Sequence, residues 1–290
     1  YGLTVGRGAG SVSTNTAVGA SALVANTTGA NNTAVGWRAG YANTTGELTA
    51  IGDEALYTNT TGDQNTAVGV VALYTNNGSN NTAVGRNALR LNTSGGNNTS
   101  LGHSALYNNT TASNNTAVGY QAAYTTQTGT RITAVGYLAA KGGSGSAPSY
   151  SVAVGSFALT SITTGDSNTA VGDNSSAGMT TGAGNTAVGQ SSLTSTSSGN
   201  YNTAVGLSAL QANTTASQNT AVGYQAGYLN TTGQGITAIG AQVLYNNTTG
   251  AANVGVGGTW SGSVNGALIN NTTGNYNTRS EEHTSELQSH

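Results

Sequence analysis

The stretch "NTSLGHSALYNNTTASN" (residues 98–114) runs straight into "NTAVGYQAAY" (residues 115–124), and the second phrase opens as the first did. Copies of that opening begin at Gly2, Asn15, Asn32, Leu48, Asn65, Asn81, Asn98, Asn115, Ile132, Ser151, Asn168, Asn185, Asn202, Asn219, Ile236 and Asn253. There are sixteen, and eleven of the fourteen intervals from Asn15 onward are 17 residues. The consensus reads "NTAVGxxALYxNTTGxx", and its residues are called places 1 to 17 below. Place 5 is always glycine, as in Gly19, Gly36, Gly52, Gly69, Gly85, Gly102, Gly119, Gly136, Gly155, Gly172, Gly189, Gly206, Gly223 and Gly240. A glycine so regular points to one structural corner per repeat, where φ is positive or a neighbouring backbone comes close.

A unit of this length is too short for a helical-hairpin repeat, and no 3.6-residue apolar period runs inside it. Two short strands and two corners fit better. "TAV" alternates, and with the β-branched Thr and Val of places 2 and 4 taken to point inward, it forms the first strand. "ALY" then opens a second strand, and "NTTG" supplies the second corner. The expected fold is an all-β parallel β-solenoid, or β-roll, of about sixteen coils spanning residues 1–278, with identical residues in ladders about 4.8 Å apart. A low-complexity linker would not hold Val or its like at one place and Gly at the next through sixteen copies.

Composition agrees with a repetitive, non-catalytic chain. The sequence holds 44 Gly, one Pro, no Cys and 6% charged residues, with a net charge of −2. An ordinary soluble domain carries roughly 25% charged residues. So little charge offers no basic field for nucleic acid or an anionic membrane, and no apolar run is long enough to span a bilayer. Acid–base or nucleophilic chemistry needs His, Cys or paired carboxylates held together, and residues 1–278 contain one His, His103. The chain is therefore read as no enzyme, with no cofactor and no metal site. Asp53, Glu54 and Asp63 could form a weak cation site, or serve as corner charges that favour solubility.

"SVAVG" at 151–155, with "NTAVG", "ITAVG" and "LTAIG", resembles the coils of trimeric autotransporter adhesin heads, the YadA-like β-roll. "NTAVGYQA" at 115–122 and 219–226 is similar to repeats of bacterial and phage tail-fibre proteins. The resemblance covers residues 2 to 278, and the adhesin-head coil is shorter than this one. It implies a secreted, often trimeric rod at a cell or virion surface that binds surfaces.

Several rows of residues then invite a role. With places 2 and 4 inward, place 3 faces out, and its alanines, among them Ala17, Ala34, Ala67, Ala117, Ala170 and Ala221, would form a flat small-residue stripe. That stripe is either a packing face for a second chain or a solvent face that avoids bulk. Tyr41, Tyr57, Tyr74, Tyr107, Tyr124, Tyr228 and Tyr245 share place 10. They are expected as an exposed aromatic stripe that contacts sugars or another surface, or that simply covers the flank. The "NTT" asparagines Asn26, Asn43, Asn59, Asn109, Asn213, Asn230, Asn247 and Asn271 match a glycosylation acceptor, although turn chemistry or a stacked amide ladder accounts for them without sugar. Threonine-rich coils can bind ice, but the adjacent Thr-Thr pairs here would face opposite ways in a strand.

Function is thus expected in surface adhesion, as an adhesin head or fibre shaft, with a surface receptor or glycan as ligand and the chain itself as partner, in a homotrimer or filament. The alternative is a self-assembling extracellular filament, and an ice-binding protein is the remaining reading. Two local features complete the expectations. "KGGSGSAPSY" (residues 141–150) lengthens one interval to 19 residues and carries the sole proline, Pro148, which predicts a loop bulging at a corner. "RSEEHTSELQSH" (residues 279–290) breaks the repeat in mid-phrase and resembles the translation of a short-read sequencing adapter. It is read as a non-native tail whose His283 and His290 are not ligands, on a fragment that starts without Met at Tyr1.

Overall fold

The computed structural model describes residues 4–143, 145–258 and 266–280. The chain divides into two compact units, Tyr1–Ser167 and Asn168–His290. In the first, strands β1 (Val5–Gly6), β2 (Thr16–Val18), β3 (Thr33–Val35), β4 (Leu48–Ile51), β5 (Asn65–Val68), β6 (Thr82–Val84), β7 (Thr99–Leu101), β8 (Thr116–Val118), β9 (Thr133–Val135) and β10 (Val152–Val154) follow one another. The second holds β11 (Thr169–Val171), β12 (Thr186–Val188), β13 (Thr203–Val205), β14 (Thr220–Val222), β15 (Thr237–Ile239), β16 (Val254–Val256) and β17 (Thr278–Ser280).

From β2 onward, neighbouring strands within each unit pair in parallel and in register: Thr99 faces Thr116, Ser100 faces Ala117 and Leu101 faces Val118. A coil one residue short keeps that register, with Ala34 opposite Ala50. The fold is an all-β parallel β-solenoid of about 14 turns with a 17-residue repeat. The first of the sixteen copies does not stack in parallel: β1 runs antiparallel to β2, with Val5 opposite Val18 and Gly6 opposite Ala17.

Among the described residues each coil has one strand, not the expected two. Its "ALY" segment is a run of turns, because places 7 and 9 hold left-handed backbone: Gln121 has φ 51° and Ala123 50°, Ser104 56° and Leu106 49°. A strand requires φ near −120°. The backbone is nevertheless satisfied between coils, since Leu106 N–H donates to the Ala122 carbonyl at 3.0 Å and Asn108 N–H to the Tyr124 carbonyl at 3.0 Å. Left-handed conformation costs a non-glycine residue about 1–2 kcal/mol. Burial of the leucine at place 9 offsets it, because Leu56, Leu73, Leu89 and Leu106 are fully buried and each such side chain contributes about 1.5–3 kcal/mol.

The facing of the strand is also reversed. Ala34, Ala67, Ala117, Ala170 and Ala221 are all 0% exposed and Ala17 is 4% exposed, so the alanines line the coil interior and the Ala stripe is no packing face for a second chain. Thr and Val of places 2 and 4 face outward, half-buried or exposed. The cause is steric. Where place 8 carries Val243 instead of alanine, place 3 of the next coil is Gly255, and a Cβ there would lie 2.5 Å from Val243 Cγ1. The interior has room at place 3 for a methyl or, at Ser100, a hydroxyl that donates to the Ala105 carbonyl at 2.9 Å, and for little more.

The corner at place 5 lies outside ordinary backbone space. All fourteen of its glycines from Gly19 to Gly240 have φ between 124° and 138°. A Cβ added to Gly119 would strike the carbonyl oxygen of Gly136 in the next coil.

The loop expected over 141–150 shrinks to a small bulge about Gly143 and Gly145. Ser146 N–H closes it on the Gly143 carbonyl at 3.1 Å, and pairing resumes at once, with Ala147 N–H on Thr163 O at 2.8 Å and Tyr150 N–H on Thr130 O at 3.0 Å. Pro148 sits in the paired part, and the Ser149 N–H beyond it is taken by the Asp166 carboxylate at 2.7 Å. At the far end, Arg279 and Ser280 belong to β17, opposite Gly255 and Val256. Residues 281–290, including His283 and His290, lie outside the described residues.

Candidate binding surfaces

Two asparagine ladders run inside the coils, and most of their amide groups are engaged; Asn32 Nδ2 and Asn109 Oδ1 are the buried exceptions among the described residues. At place 12, Asn92 Nδ2 donates to Asn76 Oδ1 of the preceding coil at 2.6 Å and to the Gly95 carbonyl at 2.8 Å. Asn109 repeats the pattern on Asn92 and Ala112, and Asn230 and Asn247 repeat it in the second unit. At place 1, Asn98 Nδ2 donates to the Ala112 carbonyl at 2.9 Å, while its Oδ1 accepts the Asn115 backbone N–H at 3.0 Å. An unpaired amide buried this way would cost about 2–7 kcal/mol, so the ladders are what allows polar side chains in the interior.

This overturns the glycosylation expectation. Asn26, Asn43, Asn59, Asn109, Asn213, Asn230 and Asn247 are 0% exposed, and each uses its Nδ2 inside the coil. Asn271 is half-buried, with Nδ2 on Asn247 Oδ1 and the Gly274 carbonyl. A sugar would need that nitrogen in solvent.

The place-10 tyrosines are half-buried, not exposed, and they stack on one another. Ring centroids are 5.0 Å apart for Tyr41 and Tyr57, 5.1 Å for Tyr57 and Tyr74, 5.2 Å for Tyr107 and Tyr124, and 4.9 Å for Tyr228 and Tyr245, with planes within 21°. Arg90 fills the same place between Tyr74 and Tyr107. Its guanidinium carbon is 5.7 Å from each ring and its Nη1 donates to the Tyr107 hydroxyl at 2.6 Å, so a cation carries the column through. Burial, then the Glu54 carboxylate and Tyr57, hold the Tyr74 hydroxyl above its ordinary pKa of 10.0, against the opposing pull of Arg90 and Arg38. Rings stacked in this way cover each other's faces and offer mainly edges to a ligand, so the column is a poor sugar platform except where it ends.

Place 6, just after the glycine corner, carries a second aromatic row that sequence reasoning passed over. His103, Tyr120 and Tyr137 stack at 5.5 and 5.4 Å, Tyr120 and Tyr137 are 44% and 48% exposed, and Trp37 and Tyr224 stand at the same place. The available signal was the size of the residues there, since Trp, Tyr and Leu alternate with Ala and Asp as only an open flank permits. Arg38 ties this row to the tyrosines, lying 4.2 Å over Trp37 and 5.7 Å from Tyr41.

The acidic residues do not converge. Glu54 pairs with Arg38 at 3.4 Å, and Asp63 accepts the Glu47 backbone N–H at 2.8 Å. Among the described residues no group of three or more His, Asp or Glu side chains could hold a metal ion, and no helix is long and apolar enough to cross a membrane. No family model, no curated protein and no solved structure matches the chain.

Proposed function

We propose that this chain is a surface-adhesion solenoid, an adhesin head or fibre shaft, that works extracellularly as an assembly of its own copies and catalyses no reaction. The observation that carries the reading is the outward sheet face. Thr116 and Val118, Thr133 and Val135 and their equivalents repeat coil after coil without a charged residue from β2 to β16. Ile51, Leu101, Val188, Val222, Ile239 and Val256 on this face are 36–47% exposed. A continuous row of exposed apolar side chains, uninterrupted by charge, is the kind of patch that marks an interface. A second copy suits it because the copy has the same axial period, so that side chains stay matched along the whole contact.

Light scattering on the purified chain tests this. A fixed mass of two or three chains is expected, and Val118→Lys should lower it while Tyr124→Lys, whose long side chain reaches water, leaves it unchanged. Mass that climbs without limit as concentration rises would favour the filament reading, and a monomer at every concentration would contradict assembly.

A further inference from the structure

The place-6 row is broken beside Trp37. Around Tyr120 each neighbouring coil supplies a ring, His103 on one side and Tyr137 on the other. Trp37 has Ala20 in the coil before it and Asp53 in the coil after it. Arg38 lies over the indole and is drawn toward the following coil by Glu54, with Nη1 at 3.4 Å from Oε1. In the preceding coil Ala20 puts only a methyl at this place. Ala20, Ser21, Trp37 and Arg38 line a notch of about 440 Å³ there, inside the range of about 300–1,000 Å³ usual for ligand sites.

The notch is amphipathic in a specific way. Trp37, 47% exposed, offers an apolar wall, and the Ser21 hydroxyl and the remaining N–H groups of Arg38 offer hydrogen bonds at the rim. The guanidinium charge is already answered by Glu54, so no anionic group is required of a ligand. An aliphatic or aromatic side chain of a protein would fill the space and leave those N–H groups unmatched, at a cost. A pyranose has one face of C–H groups and a rim of hydroxyls, which meets both demands. We infer that the Trp37 notch binds one ring of a neutral glycan. The inference rests on the adhesion reading and names its ligand class. It does not depend on assembly, because the place-6 flank lies beyond the glycine corner from the Thr/Val face.

The test uses the full chain carrying Trp260→Phe, so that Trp37 is the sole tryptophan. Its emission is followed during titration with maltohexaose, cellohexaose and chitohexaose, and separately with free phenylalanine. At least one sugar is expected to give a saturable change, and Ala20→Tyr, which fills the rung with the residue the repeat itself uses at Tyr120, should weaken that binding about tenfold or more. The mass of the Ala20→Tyr chain should equal that of the parent, which separates failure of the notch from failure of assembly. No response to any of the three sugars at millimolar concentration overturns the assignment. So does undiminished sugar binding by Ala20→Tyr, or a response to phenylalanine alone.

Discussion

Within the first unit the interior corner at place 12 is built in two ways. From Asn26 to Asn109 it is an unbroken amide ladder, each side chain passing one hydrogen bond to the coil before it. From Thr126 to Ile162 the ladder is gone. Asn109 Oδ1 and Thr126 Oγ1 meet at the break with no hydrogen-bond partner for either. Ser146 then turns its hydroxyl to the Ile162 carbonyl at 3.1 Å, and Ile162 is fully buried and apolar. The place thus accepts a saturated amide, a hydrocarbon of similar size, or a hydroxyl that finds a carbonyl of the next coil, as those of Ser146 and Thr196 do and that of Thr126 does not. Volume and satisfaction decide what may stand there; polarity does not.

The sharpest way to break the ordered region is at its corner. Gly119→Val would put a β-branched side chain at φ 135° and drive it into Gly136. The expected loss is about 3–5 kcal/mol from strain together with overpacking, read from urea unfolding. Next in size is Asn76→Ala, which leaves Asn59 Oδ1 unpaired and takes one of two partners from Asn92 Nδ2 and from the Gly78 carbonyl. A loss of about 2–4 kcal/mol is expected, since a buried group left unpaired costs about 1–3 kcal/mol and each further hydrogen bond lost about 0.5–1.5 kcal/mol. The same substitution logic at Ile162→Ala should cost a comparable amount through a cavity instead. The smallest effect has the opposite sign. Thr126→Asn extends the ladder to Asn109 Oδ1 and should stabilise by about 0.5–1.5 kcal/mol. Thermal unfolding followed by circular dichroism would register it, and a destabilised variant would show that the break at Thr126 is adapted to the bulge at Gly143.

How much of this was legible in the sequence follows from the same contrast. The 17-residue period, the solenoid and the position of the corner glycine were readable, because repetition and glycine's conformational range leave a mark that no single coil could obscure. The facing of the strand was misread because apolarity was taken as the measure of burial. The better signal was size: place 3 is restricted to Ala, Ser, Gly and, once, Thr, as a tight interior demands, whereas place 4 admits Val, Ile and Leu. The second strand was inferred from "ALY", whose left-handed places bear ordinary residues such as Leu106 and Gln121 and so announce nothing. Gly40 and Gly227, which replace leucine at place 9 with φ 59°, were the only hint. The interior asparagines passed for turn or glycosylation residues; Ile162 and Met179 at the same place, both fully buried, were the sign that it lies inside.

The packing of each coil depends on which face of the strand is inside, and paired leucine substitutions measure that directly. Ala117 is fully buried and Val118 faces outward, and leucine already stands at Val118's place in Leu101. Unfolding of Ala117→Leu and Val118→Leu should therefore differ. The first is expected to lose about 1–3 kcal/mol to overpacking, and the second to stay within about 0.5 kcal/mol of the parent chain. Equal effects, or a larger loss at Val118, would contradict an interior lined by alanine.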